Sequence, residues 1–124
     1  MIESPPTAIK TRRIVVADDE GYIREYFSRI LPRIGHQVVG IASNGRELVK
    51  LCLSESPDLV ITDVRMPEMS GIEAADQISK LQNIPIIIVS SYDKPDTDNQ
   101  NVVEFLVKPI DMVQLAVAIA KVAI

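Results

Sequence analysis

The sequence holds one cysteine, one histidine and no apolar run near the length of a membrane span. Each shortage excludes something. With Cys52 alone, neither an internal disulfide nor a thiolate metal site can form. Set in a helical pattern, Cys52 is expected to be a small buried apolar residue. His36 follows Gly35 in a turn and is expected to be a solvated loop residue, with no partner base to make it a group-transfer residue. Apolar stretches fall well short of the roughly 18 residues of a membrane span, and no signal-peptide pattern is present. A net charge of −4 and the lack of a basic patch argue against a nucleic-acid partner. Repeats, low-complexity segments and a second-domain boundary are also missing. The expectation is one soluble cytoplasmic domain with a single core.

What is present is a regular alternation. Residues 1–11, with Ser4-Pro5-Pro6-Thr7, show no periodicity and are expected to form a disordered tail, leaving 12–124 as the domain. Short Val/Ile-rich runs follow at Ile14–Ala17, Gln37–Ala42, Leu59–Thr62, Ile86–Val89 and Val103–Val107, as expected of parallel strands buried on both faces. Between the first runs lie helical stripes. The first is Ile23, Tyr26, Phe27, Ile30, Leu31 and Ile34, where Pro32 tightens the final turn and Gly35 ends it. The next is Leu48, Val49, Cys52 and Leu53, after Ser43-Asn44-Gly45 and before Ser56-Pro57-Asp58. A third carries Ile72, Ala75, Ile78 and Leu81. Asp111 can cap a last helix running to Ile124. Strand–helix alternation of this kind predicts an α/β, flavodoxin-like doubly wound domain, a (βα)5 fold with a five-stranded parallel sheet in the order 2-1-3-4-5.

In such a sheet the strand ends share one edge, where open α/β folds carry their sites. Asp18, Asp19 and Asp63 close two strands that this order makes neighbours, and Ser90 and Lys108 close the other two. Three carboxylates within roughly 4–6 Å repel one another, each pair by about 1 kcal/mol in water and about 4 at an effective dielectric near 20. Protonation or a cation must relieve that. Oxygen-only ligands in an open crevice favour Mg²⁺, which keeps waters and accepts phosphate oxygens. A hydroxyl and an ammonium beside the acids suit a phosphoryl group.

Asp18-Asp19, Asp63 forty-four positions beyond Asp19, Met66-Pro67, Gly71, Ser90 and Lys108-Pro109 form an ordered set. It resembles the receiver domain of two-component response regulators over residues 12–124. Lys94-Pro95 is no rival to Lys108-Pro109, because it lies in a polar loop and follows no strand. The resemblance implies that Asp63 takes a phosphoryl group from a sensor histidine kinase or phosphotransfer protein. It implies Mg²⁺ on Asp19 and Asp63, with Asp18 acting partly through water and the Arg65 backbone carbonyl adding a ligand. Lys108 would pair with one phosphoryl oxygen and Ser90 with another. Phe105, three residues before the lysine, stands where the family carries a switching aromatic. Lacking a hydroxyl, Phe105 would switch by steric means alone as Ser90 is drawn inward. The domain is not expected to be an enzyme on a separate substrate, although it assists its own phosphorylation and hydrolysis.

The chain departs from the family between Ser90 and Lys108, where seventeen residues stand. With Pro95 and five Asp/Asn residues, 92–101 is poor helix material, so the fourth helix is expected to be shortened or missing. In the last helix, Met112, Leu115, Ala116, Ile119, Val122 and Ala123 should face the sheet. Val113, Val117, Ala120 and Ile124 form a second apolar stripe, which predicts a homodimer or output partner there. Arg65 and Tyr92 flank the path of an attacking water, which predicts a stable phosphoryl state. Two alternatives remain open. One is a Mg²⁺-dependent phosphatase with an aspartyl nucleophile, disfavoured because Asp63-Val64-Arg65 puts arginine where such enzymes carry a second acid. The other is a degenerate receiver that only binds protein.

Overall fold

The computed structural model describes residues 10–91 and 94–122. Five strands, β1 Arg13–Ala17, β2 Gln37–Ala42, β3 Leu59–Thr62, β4 Ile86–Ser90 and β5 Val102–Val107, form one parallel sheet in the order β2-β1-β3-β4-β5. The helices are α1 Gly21–Arg33, α2 Gly45–Glu55, α3 Gly71–Leu81 and α4 Met112–Ala120. This is the expected doubly wound topology.

Alternation along the strands builds two cores. Ile14, Val16, Leu59, Ile61, Ile87 and Val89 face α1 and α4 through Phe27, Leu31, Leu115 and Ile119. Val15, Ala17, Val60, Ile86 and Ile88 face α2 and α3 through Leu48, Cys52, Ala74, Ala75 and Ile78. Successive side chains point to opposite faces of a strand, so continuous apolar runs supply both layers at once.

The helix ends follow local chemistry. At the end of α1, Gly35 adopts φ 95°; its N–H donates to the Pro32 carbonyl, and the His36 N–H donates to that of Leu31. This is a Schellman closure, which a residue without Cβ permits. Asn44 caps α2 by accepting from the Glu47 N–H at 2.8 Å. Ser70 with Glu73, and Asp111 with Gln114, form reciprocal capping boxes on α3 and α4.

Several expectations need correction. His36 is 7 % exposed and its Nδ1 accepts from the Arg12 backbone N–H at 3.1 Å, so it is part of the packed interior. Helix α4 ends at Ala120, and Ala123 and Ile124 lie outside the described residues. Met112 is exposed, and Ala118 takes a buried place instead. Leu53 and Leu81 are likewise exposed at the ends of their helices. Tyr92 and residues 1–9 of the expected tail fall outside the described residues.

Among the described residues no helix joins β4 to β5. Residues 94–101 instead run as a loop tied to α3. Asn99 Nδ2 donates to Asp76 Oδ1 at 2.8 Å, and Asn101 Nδ2 donates to Ser79 Oγ at 3.1 Å. Side-chain amides bonding locally are the competitors that break helices. Val103 and Val107 of β5 stand half exposed.

Candidate functional site

Register places the acids. Ala17 pairs with Thr62, so Asp18 and Asp63 leave neighbouring strands at the same level. The Asp63 N–H donates to the Ala17 carbonyl, and the Asp18 N–H donates to that of Ala42. Ser90 pairs with Val107, and the Lys108 N–H donates to the Ser90 carbonyl at 2.8 Å. The Lys108–Pro109 peptide is cis.

The side chains converge. Lys108 Nζ lies 2.7 Å from Asp18 Oδ2, 3.1 Å from Asp63 Oδ2 and 3.6 Å from Glu20 Oε1. Asp18 is 1 % exposed and Asp63 is 7 % exposed, at the floor of the crevice. The other Asp63 oxygen accepts from the Val64 N–H at 2.7 Å. Asp18 Oδ1 accepts from the Glu20 N–H at 2.9 Å, and Arg24 Nη1 donates to the Asp18 carbonyl at 2.8 Å. Asp19 is exposed at the rim, and Ser90 is fully buried at the end of β4.

Burial raises the Asp18 carboxyl above its ordinary range, against the lowering effects of the Lys108 ammonium and the Glu20 N–H. For Lys108, burial alone would lower the amine. The hydrogen bonds and charges of Asp18 and Asp63 together outweigh it and raise the amine instead. The ammonium is therefore fixed as a cation between two acids.

The α3 side of the crevice depends on a missing side chain. A Cβ on Gly71 would fall 1.8 Å from the Asp63 carbonyl oxygen, and the Gly71 N–H donates to the Val64 carbonyl at 2.8 Å. Only glycine lets the start of α3 press this closely on the segment that carries Asp63.

Asp18, Asp63 and Lys108 thus meet at one edge, with Ser90 buried at the end of β4. Phe105 is part-buried in β5, beside Ile88 and packed on the core under α2 and α3. The Arg65 side chain is exposed on the loop after β3. Sequence reasoning missed Glu20 and Arg24. Asp18, Asp19 and Glu20 each offer one carboxylate oxygen, and these lie within 4.8 Å of one another. The signal for Glu20 was a third consecutive acid just before a helix.

The fold and crevice define a class: a doubly wound domain that gathers buried acids and one ammonium at its strand ends. The chain belongs to the response regulator receiver domain family, whose model matches residues 14–120. It is 36% identical over 112 residues to the transcriptional regulatory protein PdtaR of Mycobacterium tuberculosis, covering 87% of this chain and 55% of PdtaR. It is 32% identical over 117 residues to the chemotaxis protein CheY of Thermotoga maritima, covering 90% of this chain and 98% of CheY. Among solved structures, the response regulator TrrA of Thermotoga maritima, in complex with Mg²⁺-BeF, superposes with TM-score 0.80 at 34% identity. That match covers 89% of this chain and 97% of TrrA. The chain spans about half the length of PdtaR, whereas it matches CheY almost end to end. As a receiver domain it is a phosphoacceptor of two-component signalling, and its match to a protein-glutamate methylesterase/protein-glutamine glutaminase of Geobacillus kaustophilus covers 33% of that protein.

Proposed function

We propose that Asp63 is the phosphoacceptor and that Lys108, Ser90 and the acids around it form its machinery. The observation that carries this reading is the placement of Asp63. One oxygen is held by a backbone N–H, the other by an ammonium, in a nearly buried crevice with an open rim. An Asp63 oxygen attacks the phosphorus of a phosphohistidine, the P–N bond breaks, and its electron pair leaves with the imidazole. In this reading Lys108 neutralises charge on the transferred group, and the Ser90 hydroxyl donates a hydrogen bond to one of its oxygens.

The residues fit Mg²⁺. Asp18, Asp19 and Glu20 converge as an oxygen-only set, and Asp63 shares Lys108 with Asp18. Asp18, Asp19, Asp63 and the Arg65 carbonyl are the residues we assign to hold it. When bound, the ion would cancel charge on the attacking carboxylate and on the incoming phosphate.

The partner is a sensor histidine kinase or a phosphotransfer protein. A cleft of about 390 Å³ lined by Tyr22, Ile23, Tyr26, Pro109 and Ile110 opens beside Lys108, giving such a donor an apolar foothold next to the chemistry. No helix among the described residues is long and apolar enough to cross a membrane, which accords with action in the cytoplasm. Phosphorylation adds negative charge that draws Ser90 inward and lets Phe105 follow, remodelling β5 and α4. The exposed stripe on α4, with Val113 68 % and Val117 49 % exposed, is the surface assigned to a twin subunit or output partner. Hydrolysis is self-assisted, and the bulk of Arg65 slows it.

The test is incubation with Mg²⁺ and acetyl phosphate or beryllofluoride. Stoichiometric, Mg²⁺-dependent modification that disappears in Asp63→Ala supports the assignment. Sustained turnover of a phosphate ester would mark a phosphatase, and no response at all a protein-binding module.

A further inference from the structure

Glu20 is the N-cap residue of α1, yet its side chain makes no capping hydrogen bond. N-cap side chains ordinarily satisfy one of the free N–H groups of the first turn. Here the carboxylate turns the other way. One of its oxygens sits within 4.8 Å of oxygens from Asp18 and Asp19, and Oε1 lies 3.6 Å from Lys108 Nζ. The Glu20 carboxylate also acts on the exposed Tyr22 hydroxyl two residues on, raising its pKa.

Charge shows what such an acid does. Asp18, Asp19, Glu20 and Asp63 bring four carboxylates to one crevice, and among the described residues Lys108 is the ammonium bonded among them. Both buried acids already share that ammonium. A divalent cation that claims Asp18 and Asp63 competes with Lys108 for the same oxygens and repels it. The amine needs a carboxylate to move toward, and Glu20 is the remaining acid in contact with it. At 43 % side-chain exposure, Glu20 has freedom to follow.

We propose that Glu20 is a positioning residue of the cation site: it draws Lys108 off Asp18 as a divalent cation enters and adds a third carboxylate from the β1–α1 turn. This rests on the cation site assigned above. It makes Glu20 a determinant of cation affinity in this chain, acting through Lys108 and through its own charge. The Tyr22 hydroxyl is the reporter, because the field of Glu20 on it changes as the carboxylate turns inward.

The experiment is Mg²⁺ titration of the full chain by calorimetry, with tyrosine fluorescence read in parallel; the sequence contains no tryptophan to mask it. Glu20→Gln is expected to weaken Mg²⁺ about tenfold, the size of losing one charge near a divalent ion in a solvated crevice. Glu20→Asp should recover part of that loss. The fluorescence change on Mg²⁺ addition should shrink in Tyr22→Phe and in Glu20→Gln alike. Equal Mg²⁺ affinity in wild type and Glu20→Gln overturns the role of Glu20 while leaving the cation site standing. A wild type that binds no Mg²⁺ overturns both.

Discussion

At the residue scale, the two ends of the sheet carry opposite electrostatic problems. At the strand ends an ammonium is shared among acids. At the far end Arg12 is buried, and among the described residues no carboxylate pairs with it. One guanidinium nitrogen donates to the Val122 carbonyl at 2.8 Å, while the other has no hydrogen-bond partner among the described residues. His36 sits against this cation, and burial first, then the Arg12 charge, lowers its pKa below 6.5. Its Nδ1 accepts from the Arg12 N–H, which a doubly protonated ring cannot do. Because the folded-state pKa is depressed, the unfolded chain binds the proton more readily. Stability is therefore present above pH 6.5 and falls as pH drops through the folded value. His36→Asn keeps an acceptor without the titration. Urea midpoints at pH 7.5 and 5.5 should fall further for wild type than for His36→Asn, and equal falls would contradict this account. The histidine was misjudged from sequence because a turn position says nothing of what the preceding strand residue places over it.

At the element scale, most of the fold was legible. Strand runs buried on both faces, Asp111 as a cap and Gly35 as a helix stop were read from local signals, and the structure keeps them while adding Asn44 and Ser70 as caps. The lack of a helix between β4 and β5 among the described residues was legible for the same reason, since 94–101 offers amides and acids that bond the backbone and α3 instead of forming a helix. Helix α4 was read less well, because an almost wholly apolar helix gives periodicity little contrast to work with. Leu115, Ala118 and Ile119 are the residues that reach the core. Val113 and Val117 face a groove against Glu104 and Leu106 of β5, with Asp111 at one end and Lys121 at the other. A two-fold that reverses the helix would set Lys121 of each copy near Asp111 of the other, on either side of paired valines. Val117→Glu places a charge in the middle of that contact and should shift sedimentation toward monomer, more so in the beryllofluoride form. An unchanged distribution would leave the stripe without a twin.

At the scale of the whole molecule, the site is a strain that the sheet imposes. Strand order brings Asp18 and Asp63 together, and the two cores hold the strands in that register whatever their ends carry. The sequence made this meeting visible through topology, but not the part of Glu20, because a carboxylate at a helix start reads equally well as a cap. The raised pKa of Asp18 gives the sign of the cost. A carboxyl that holds its proton more tightly folded than unfolded loses stability as pH rises from about 3.8 through its folded value, so at neutral pH the Asp18 carboxylate works against the fold, while the raised Lys108 amine works for it. A cation bound only by the folded state offsets this by mass action, by about 2.7 kcal/mol at a hundredfold excess over its dissociation constant. For a domain of this size that is a rise in melting temperature of roughly 10 °C. Thermal unfolding with increasing MgCl₂, against NaCl of matched ionic strength, should show this rise in wild type. Asp19→Asn, altered at an exposed rim position with the buried pair intact, should lose most of it. A rise of equal size in Asp19→Asn, or in NaCl alone, would mean that the acids act through general screening and hold no ion of their own.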